Sequence, residues 1–207
     1  MKAIIFDLDD TLIEWKDEFS LSIKRSLLKT GFDLSDRVIH EIDMAINRQD
    51  KTSDKLRKKE LLDYINSECN LNLPIDFINN LIEEQKSLFY EDKSVEETIK
   101  YLSKKYKLFV VTNWFTETQE GRLKGYKILK YITKVYGADT NYFKPNKKVY
   151  DDILKSFRPE KCVSIGDSLE KDILYPKELG MRVIWKTNKE SSEFETIKEI
   201  KELMNIL

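Results

Sequence analysis

The sequence predicts an α/β fold, a parallel sheet with helices on both faces, interrupted after its first strand by an all-helical insertion. Three observations predict it. Short apolar runs recur along the chain, each followed by a longer helical pattern, which is the alternation that βαβ units produce. The first run, Ala3-Ile4-Ile5-Phe6, lacks polar alternation, as a strand buried on both faces does. From about Glu14 to Tyr90 no strand signal occurs, and four helical patterns follow one another.

The first strand is expected over residues 2–8. The insertion carries helical patterns near 15–30, 36–48, 54–68 and 75–90. Gly31 is the expected stop of the first. In the fourth, Phe77, Leu81, Ile82, Gln85, Leu88 and Phe89 recur at helical spacing behind Pro74, a residue suited to a first turn. The second strand is expected over 107–112, a shorter one over 134–137, and two more over 161–166 and 181–185. Residues 1–13 and 91–207 then form the α/β core and 14–90 a helical cap, hinged near 13–15 and 90–94. The charge-dense run 51–60 reads as a solvated helix face.

A chain of 207 residues suffices for one core with a smaller inserted module. Its net charge of −1 argues against nucleic acid or a membrane as a bulk electrostatic partner. Hydrophobic residues at 41% support a packed core despite a charged fraction of 35%. Cys69 and Cys162 lie far apart, in neither a disulfide framework nor a zinc spacing. His40 is the single histidine, which excludes any site needing two. No apolar run has the length of a signal peptide or a membrane span, so the chain is expected to be soluble and cytoplasmic. Nothing in one sequence decides between a monomer and a homodimer.

In open α/β sheets, ligands bind beyond the carboxyl ends of the strands. The first strand runs into Asp7-Leu8-Asp9-Asp10-Thr11, and alternation along extended chain puts Asp7 and Asp9 on one side. Two carboxylates so close repel, so one holds its proton or a cation sits between them. The 107–112 strand ends in Thr112-Asn113. The 161–166 strand ends in Gly166-Asp167-Ser168, with Asp172 one helical turn on. Singly, each has an ordinary structural reading: Asp9, Asp10 or Ser168 as a helix N-cap, Thr112 as a strand residue, Asp172 as a surface charge. Together they put carboxylates and a hydroxyl on one rim. That set suits a divalent cation with hard oxygen ligands, Mg²⁺ above all, and an anionic substrate. Lys144, in Tyr142-Phe143-Lys144-Pro145 ahead of a helix starting at or just after Pro145, supplies the positive side chain.

The order Asp7-x-Asp9-x-Thr11, Thr112, Lys144 and Gly166-Asp167-x-x-x-x-Asp172 resembles the four motifs of the haloacid dehalogenase-like (HAD) hydrolase superfamily. The resemblance covers about 1–13 and 91–185, and the helical block falls where that family inserts a cap. It implies a Rossmann-like parallel core and catalysis through an aspartyl-phosphate. Asp7 is then the nucleophile. Asp9 is the general acid for the leaving alcohol, and afterwards the base for water. Asp7, the Asp9 backbone carbonyl and Asp167 would hold Mg²⁺, with Asp172 a direct or water-mediated ligand. Thr112, Asn113 and Lys144 would bind the phosphoryl group.

An acid at position 9 favours a phosphate ester, since halide leaves without a proton. The expected activity is Mg²⁺-dependent hydrolysis of a small phosphorylated metabolite. Two alternatives stay open: a phosphotransferase or mutase resembling β-phosphoglucomutase, which uses the same core residues, and a non-catalytic phosphate-binding or regulatory module. Substrate choice is expected to rest on the cap and on Trp15, Lys16, Asn113, Trp114 and Phe115, the aromatics having packing between cap and core as their ordinary reading. His40 reads as surface polar and Cys162 as buried and apolar.

Overall fold

The computed structural model describes residues 2–14, 19–49, 53–90 and 92–207, with Lys147 described by its backbone alone. Its centre is β1 (Ala3–Phe6), in which no side chain is more than 2% exposed. Alternation sends Ile4 and Phe6 into one apolar cluster and Ala3 and Ile5 into another on the opposite face. Five more strands lie parallel to it: β2 (Lys107–Val111), β3 (Ile132–Tyr136), β4 (Cys162–Gly166), β5 (Arg182–Lys186) and β6 (Glu195–Ile197). Among the described residues the spatial order is β3-β2-β1-β4-β5-β6. The chain therefore builds outward from β1 through β2 to β3, then returns across β1 to start β4. The carboxyl ends of β1, β2 and β4 meet at that reversal, where an open α/β sheet forms its crevice.

Between β1 and β2 run α1 (Phe19–Lys29), α2 (Asp36–Arg48), α3 (Lys58–Cys69), α4 (Ile75–Gln85) and α5 (Lys93–Leu102). The first four pack on one another through Ile23, Leu27, Ile42, Leu61, Ile65, Phe77 and Leu81. Their cluster also takes in Phe115, Ala138 and Phe143 from the α/β part. Two backbone hydrogen bonds join the parts: Leu56 N–H donates to the Ala138 carbonyl and Phe143 N–H to that of Asp54, each at 3.0 Å. Helix α5 instead presents Val95, Ile99 and Leu102 to the sheet. After β2 come α6 (Thr116–Gly125), a short α7 (Asp151–Leu154), α8 (Tyr175–Glu178) and the terminal α9 (Leu203–Ile206). Among the described residues no helix is long and apolar enough to cross a membrane.

Several expected boundaries move. The pattern near 15–30 becomes α1, its first four residues lying outside those described. The pattern near 75–90 stops at Gln85. Leu88 and Phe89 continue its spacing but sit in the connector to α5, where Phe89 packs on the sheet-side cluster and meets the Tyr126 ring edge-on at 5.7 Å. Pro74 stands one residue before its helix, which starts at Ile75. After Pro145 the chain makes a tight turn at Lys147–Tyr150, opened by the Asn146 side chain accepting from Lys148 N–H, before α7 begins. The edge strand β6 had no sequence signal, because Ile197 is its one buried apolar side chain.

Candidate active site

The β1–β4 pairing runs one step past the strand, with Asp7 N–H donating to the Ile165 carbonyl at 2.9 Å, so Asp7 starts from a fixed backbone. Lys144 Nζ donates to Asp7 Oδ1 at 2.5 Å and to Asp172 Oδ1 at 2.6 Å. The Lys144 and Asp172 side chains are 3% and 4% exposed, and that of Asp7 10%. The loop carrying Lys144 is held by Asn113, directly beyond β2. Asn113 Nδ2 donates to the Lys144 carbonyl at 3.1 Å, and Lys144 N–H donates to Asn113 Oδ1 at 2.7 Å. Expected as a phosphate contact, the Asn113 amide is thus engaged with the backbone of the lysine.

Asp172 reaches the site because Gly166 has no side chain, since a Cβ there would lie 2.4 Å from Asp172 Cβ. Asp172 Oδ2 accepts from Ser168 N–H at 3.1 Å, and its carbonyl from Ser164 Oγ at 2.9 Å. The Ser168 side chain caps the wide helical turn Leu169–Leu174. Burial opposes the charge on Lys144, but the carboxylates of Asp172 and Asp7 outweigh it and hold the ammonium above the ordinary lysine range. Asp172 is pushed upward by burial, against the pull of Lys144.

Asp7, Asp167 and Asp172 each offer a carboxylate oxygen within 4.8 Å of the others. Asp167 accepts from Thr11 Oγ1 at 3.1 Å, and burial together with the nearby charge of Asp7 raises its pKa. Crowded carboxylate oxygens, with the pKa values of Asp167 and Asp172 both raised, are the donor chemistry that a hard divalent cation relieves. Asp172 already serves Lys144 and Ser168 through both oxygens, which leaves Asp7 and Asp167 as the pair best placed to ligate.

Asp9 turns to a different cation. Arg122 Nη1 donates to its Oδ1, while Oδ2 accepts from Gln119 Nε2 at 2.7 Å and from Thr112 Oγ1 at 3.4 Å. The repulsion expected between Asp7 and Asp9 is met by giving each carboxylate its own buried cation, Lys144 and Arg122. Burial still outweighs Arg122 and raises the Asp9 pKa. Sequence reasoning did not find Gln119 or Arg122. Both are fully buried in α6, three residues apart on one face. The available signal was a long polar pair on the stripe of 116–125 that should have been apolar.

A family model for haloacid dehalogenase-like hydrolases matches residues 4–186. The chain belongs to that family. It is 26% identical over 205 residues to the glyceraldehyde 3-phosphate phosphatase of Methanothermobacter thermautotrophicus, covering 94% of this chain and 89% of that protein. It is 23% identical over 200 residues to the pyrimidine 5'-nucleotidase PynA of Streptococcus pneumoniae, covering 89% and 83%. Among solved structures, the magnesium-bound HAD-hydrolase YfnB of Bacillus subtilis superposes with a TM-score of 0.76 at 18% identity, over 99% of this chain and 97% of that one. That structure also reveals interdomain movement in YfnB.

In this HAD hydrolase a cavity of about 380 Å³ opens beside Asp9. The α/β part lines it with Asn113, Trp114, Phe143 and Lys171, and the helical block with Phe19, Asp43, Ile46, Asn47, Gln49 and Leu56. Asp43 accepts from Asn47 Nδ2 at 3.0 Å, and burial raises its pKa. Trp114 lines the cavity, and its indole N–H donates to Gln85 Oε1 in α4 at 2.7 Å. Phe115 is instead packed into the helical cluster at 1% exposure. Trp15 and Lys16 lie outside the described residues. His40 is exposed on α2 and Cys162 is buried in β4.

Proposed function

We propose that this HAD hydrolase is a Mg²⁺-dependent phosphomonoesterase that works through an aspartyl-phosphate on Asp7, with residues 14–90 acting as a cap over the site. The observation that carries this reading is the separation of two neighbouring carboxylates by their partners. Asp7 is fixed by a buried ammonium, whereas Asp9, held from behind by Arg122 and Gln119, faces the cavity. Environments that differ in this way assign a nucleophile and an acid to one pair of aspartates.

In the first step an Asp7 oxygen attacks phosphorus, the ester P–O bond breaks, and the leaving oxygen takes the proton of Asp9. In the second step Asp9, now a carboxylate, takes a proton from water as that water attacks phosphorus. Phosphate leaves and Asp7 is restored. The raised pKa of Asp9 suits the acid of the first step. Lys144 neutralises charge at Asp7 throughout, and Thr112 stands at the same rim. Asp7, Asp167 and the Asp9 backbone carbonyl would hold Mg²⁺, which supplies charge neutralisation at the phosphoryl oxygens when bound.

The leaving group would occupy the cavity. Among its described lining residues the helical block contributes Asp43, Asn47 and Gln49, acceptors and amides that suit hydroxyl- or amide-bearing groups, and the α/β part contributes Lys171. Phosphatase and nucleotidase relatives support a small phosphorylated metabolite. The test is phosphate release from a phosphomonoester panel with Mg²⁺ and with EDTA. Release is expected with Mg²⁺ alone, strongest from triose phosphates, sugar monophosphates or nucleoside monophosphates. A folded protein that releases phosphate from no ester overturns the proposal.

A further inference from the structure

We infer that Arg122, together with Gln119, is the positioning residue for the acid Asp9. The inference rests on the acid role proposed above. Among the polar contacts of Arg122 are Nη1 to Asp9 Oδ1, Nη1 to Gln119 Oε1 at 2.9 Å, and Nε to the Leu88 carbonyl at 2.8 Å. Its side chain is 0% exposed, so the guanidinium is fully withdrawn from water. Desolvating such a charge is costly, and neutralising Asp9 alone would not require this side chain, because a shorter or more exposed cation would do that. A planar fork does what an ammonium cannot. One edge is pinned by the connector carbonyl while the other presents an N–H to the carboxylate in a fixed direction.

Gln119 completes the cradle. Its Nε2 donates to Asp9 Oδ2 at 2.7 Å and to Thr112 Oγ1 at 2.9 Å, so both carboxylate oxygens of Asp9 are held from α6. The connector that supplies the Leu88 carbonyl is itself seated on α6. A Cβ at Gly125 would lie 2.1 Å from Phe89 Cε1, and one at Gly121 2.5 Å from Lys86 Cγ, so these small residues bring 86–89 against the helix. The result is an acid whose two carboxylate oxygens are both held from α6 and whose side chain, 23% exposed, lines the cavity.

A merely structural Arg122 and a positioning one differ in how the loss depends on the leaving group. p-Nitrophenolate departs without a proton, whereas an alkoxide needs one, so an ill-aimed Asp9 penalises alkyl esters selectively. The experiment measures kcat/KM, which reports phosphoryl transfer to Asp7, for p-nitrophenyl phosphate and for the best alkyl phosphate of the panel. The proteins compared are the unaltered chain, Asp9→Asn, Arg122→Lys and Gln119→Met, each with its unfolding midpoint.

Asp9→Asn sets the scale, with an alkyl-selective loss of about a hundredfold or more. Arg122→Lys is expected to lose at least about tenfold more on the alkyl ester than on the aryl ester, and Gln119→Met to share that selectivity. Equal losses on both esters in Arg122→Lys and Gln119→Met, with Asp9→Asn still selective, overturn the positioning role alone. An Asp9→Asn variant with no selectivity overturns the acid reading and this inference with it. Should Arg122→Lys not fold, Gln119→Met decides by the same ratio.

Discussion

Asp7→Asn lowers phosphate release from every ester by at least about four orders of magnitude and leaves the fold intact. The substitution keeps size and shape but removes the attacking oxyanion, and a bound ester with no nucleophile has nowhere to transfer its phosphoryl group. Stability should hold. Lys144 keeps Asp172 as a partner at 2.6 Å, and removing one of three crowded carboxylates relieves the repulsion that raises Asp167. The check is a phosphate assay beside a thermal melt. The expected result is an unchanged or higher melting temperature with activity at background. Substantial residual release would mean that water attacks the ester directly or that another carboxylate is the nucleophile.

Lys144→Met has a double effect. It removes activity, because Asp7 loses the ammonium beside it, and it destabilises the protein by about 3–5 kcal/mol at neutral pH, because two buried carboxylates lose their partner. The pH dependence has a definite sign. In the unaltered chain the lysine pKa is raised on folding, so its contribution is complete at neutral pH and is lost only as pH rises through the folded value. In the variant Asp172 is buried without its cation, and burial raises its pKa, so the folded state prefers it protonated. The stability deficit therefore shrinks as pH falls toward the carboxylate range. Urea unfolding at pH 7 and pH 5 measures this, and a deficit that widens on acidification would contradict it.

Much of the fold was legible because the central strands β1, β2 and β4 are buried on both faces. An unbroken run such as Ala3-Ile4-Ile5-Phe6 marks itself without help from tertiary context. The strand ends announced Asp7, Thr112 and Asp167 for the same reason, since polar side chains directly after an apolar run have few places to go. Lys144 could be placed at the rim through its motif, but its grip by Asn113 could not, because that contact joins residues 31 apart through backbone atoms.

The Asp9 cradle left a polar pair on an apolar stripe but no assignment, for a physical reason. Gln119 and Arg122 occupy buried helix positions where composition predicts apolar residues, and only the tertiary approach of β1 and the 86–89 connector explains them. The Leu88 and Phe89 periodicity misled in the opposite direction. Leu88 is buried and Phe89 partly buried, as a helix would leave them, but in a connector rather than in a continuation of α4.

The covalent intermediate is the most direct test. The protein, mixed with Mg²⁺ and its best ester, is quenched in acid during a single turnover, digested and examined by mass spectrometry. The expected result is one phosphoryl group on the peptide containing residues 3–8, located at Asp7 and absent from the Asp7→Asn protein. A phosphoryl group on Asp9 or on another peptide, or undiminished turnover by the Asp7→Asn protein, would contradict the aspartyl-phosphate mechanism.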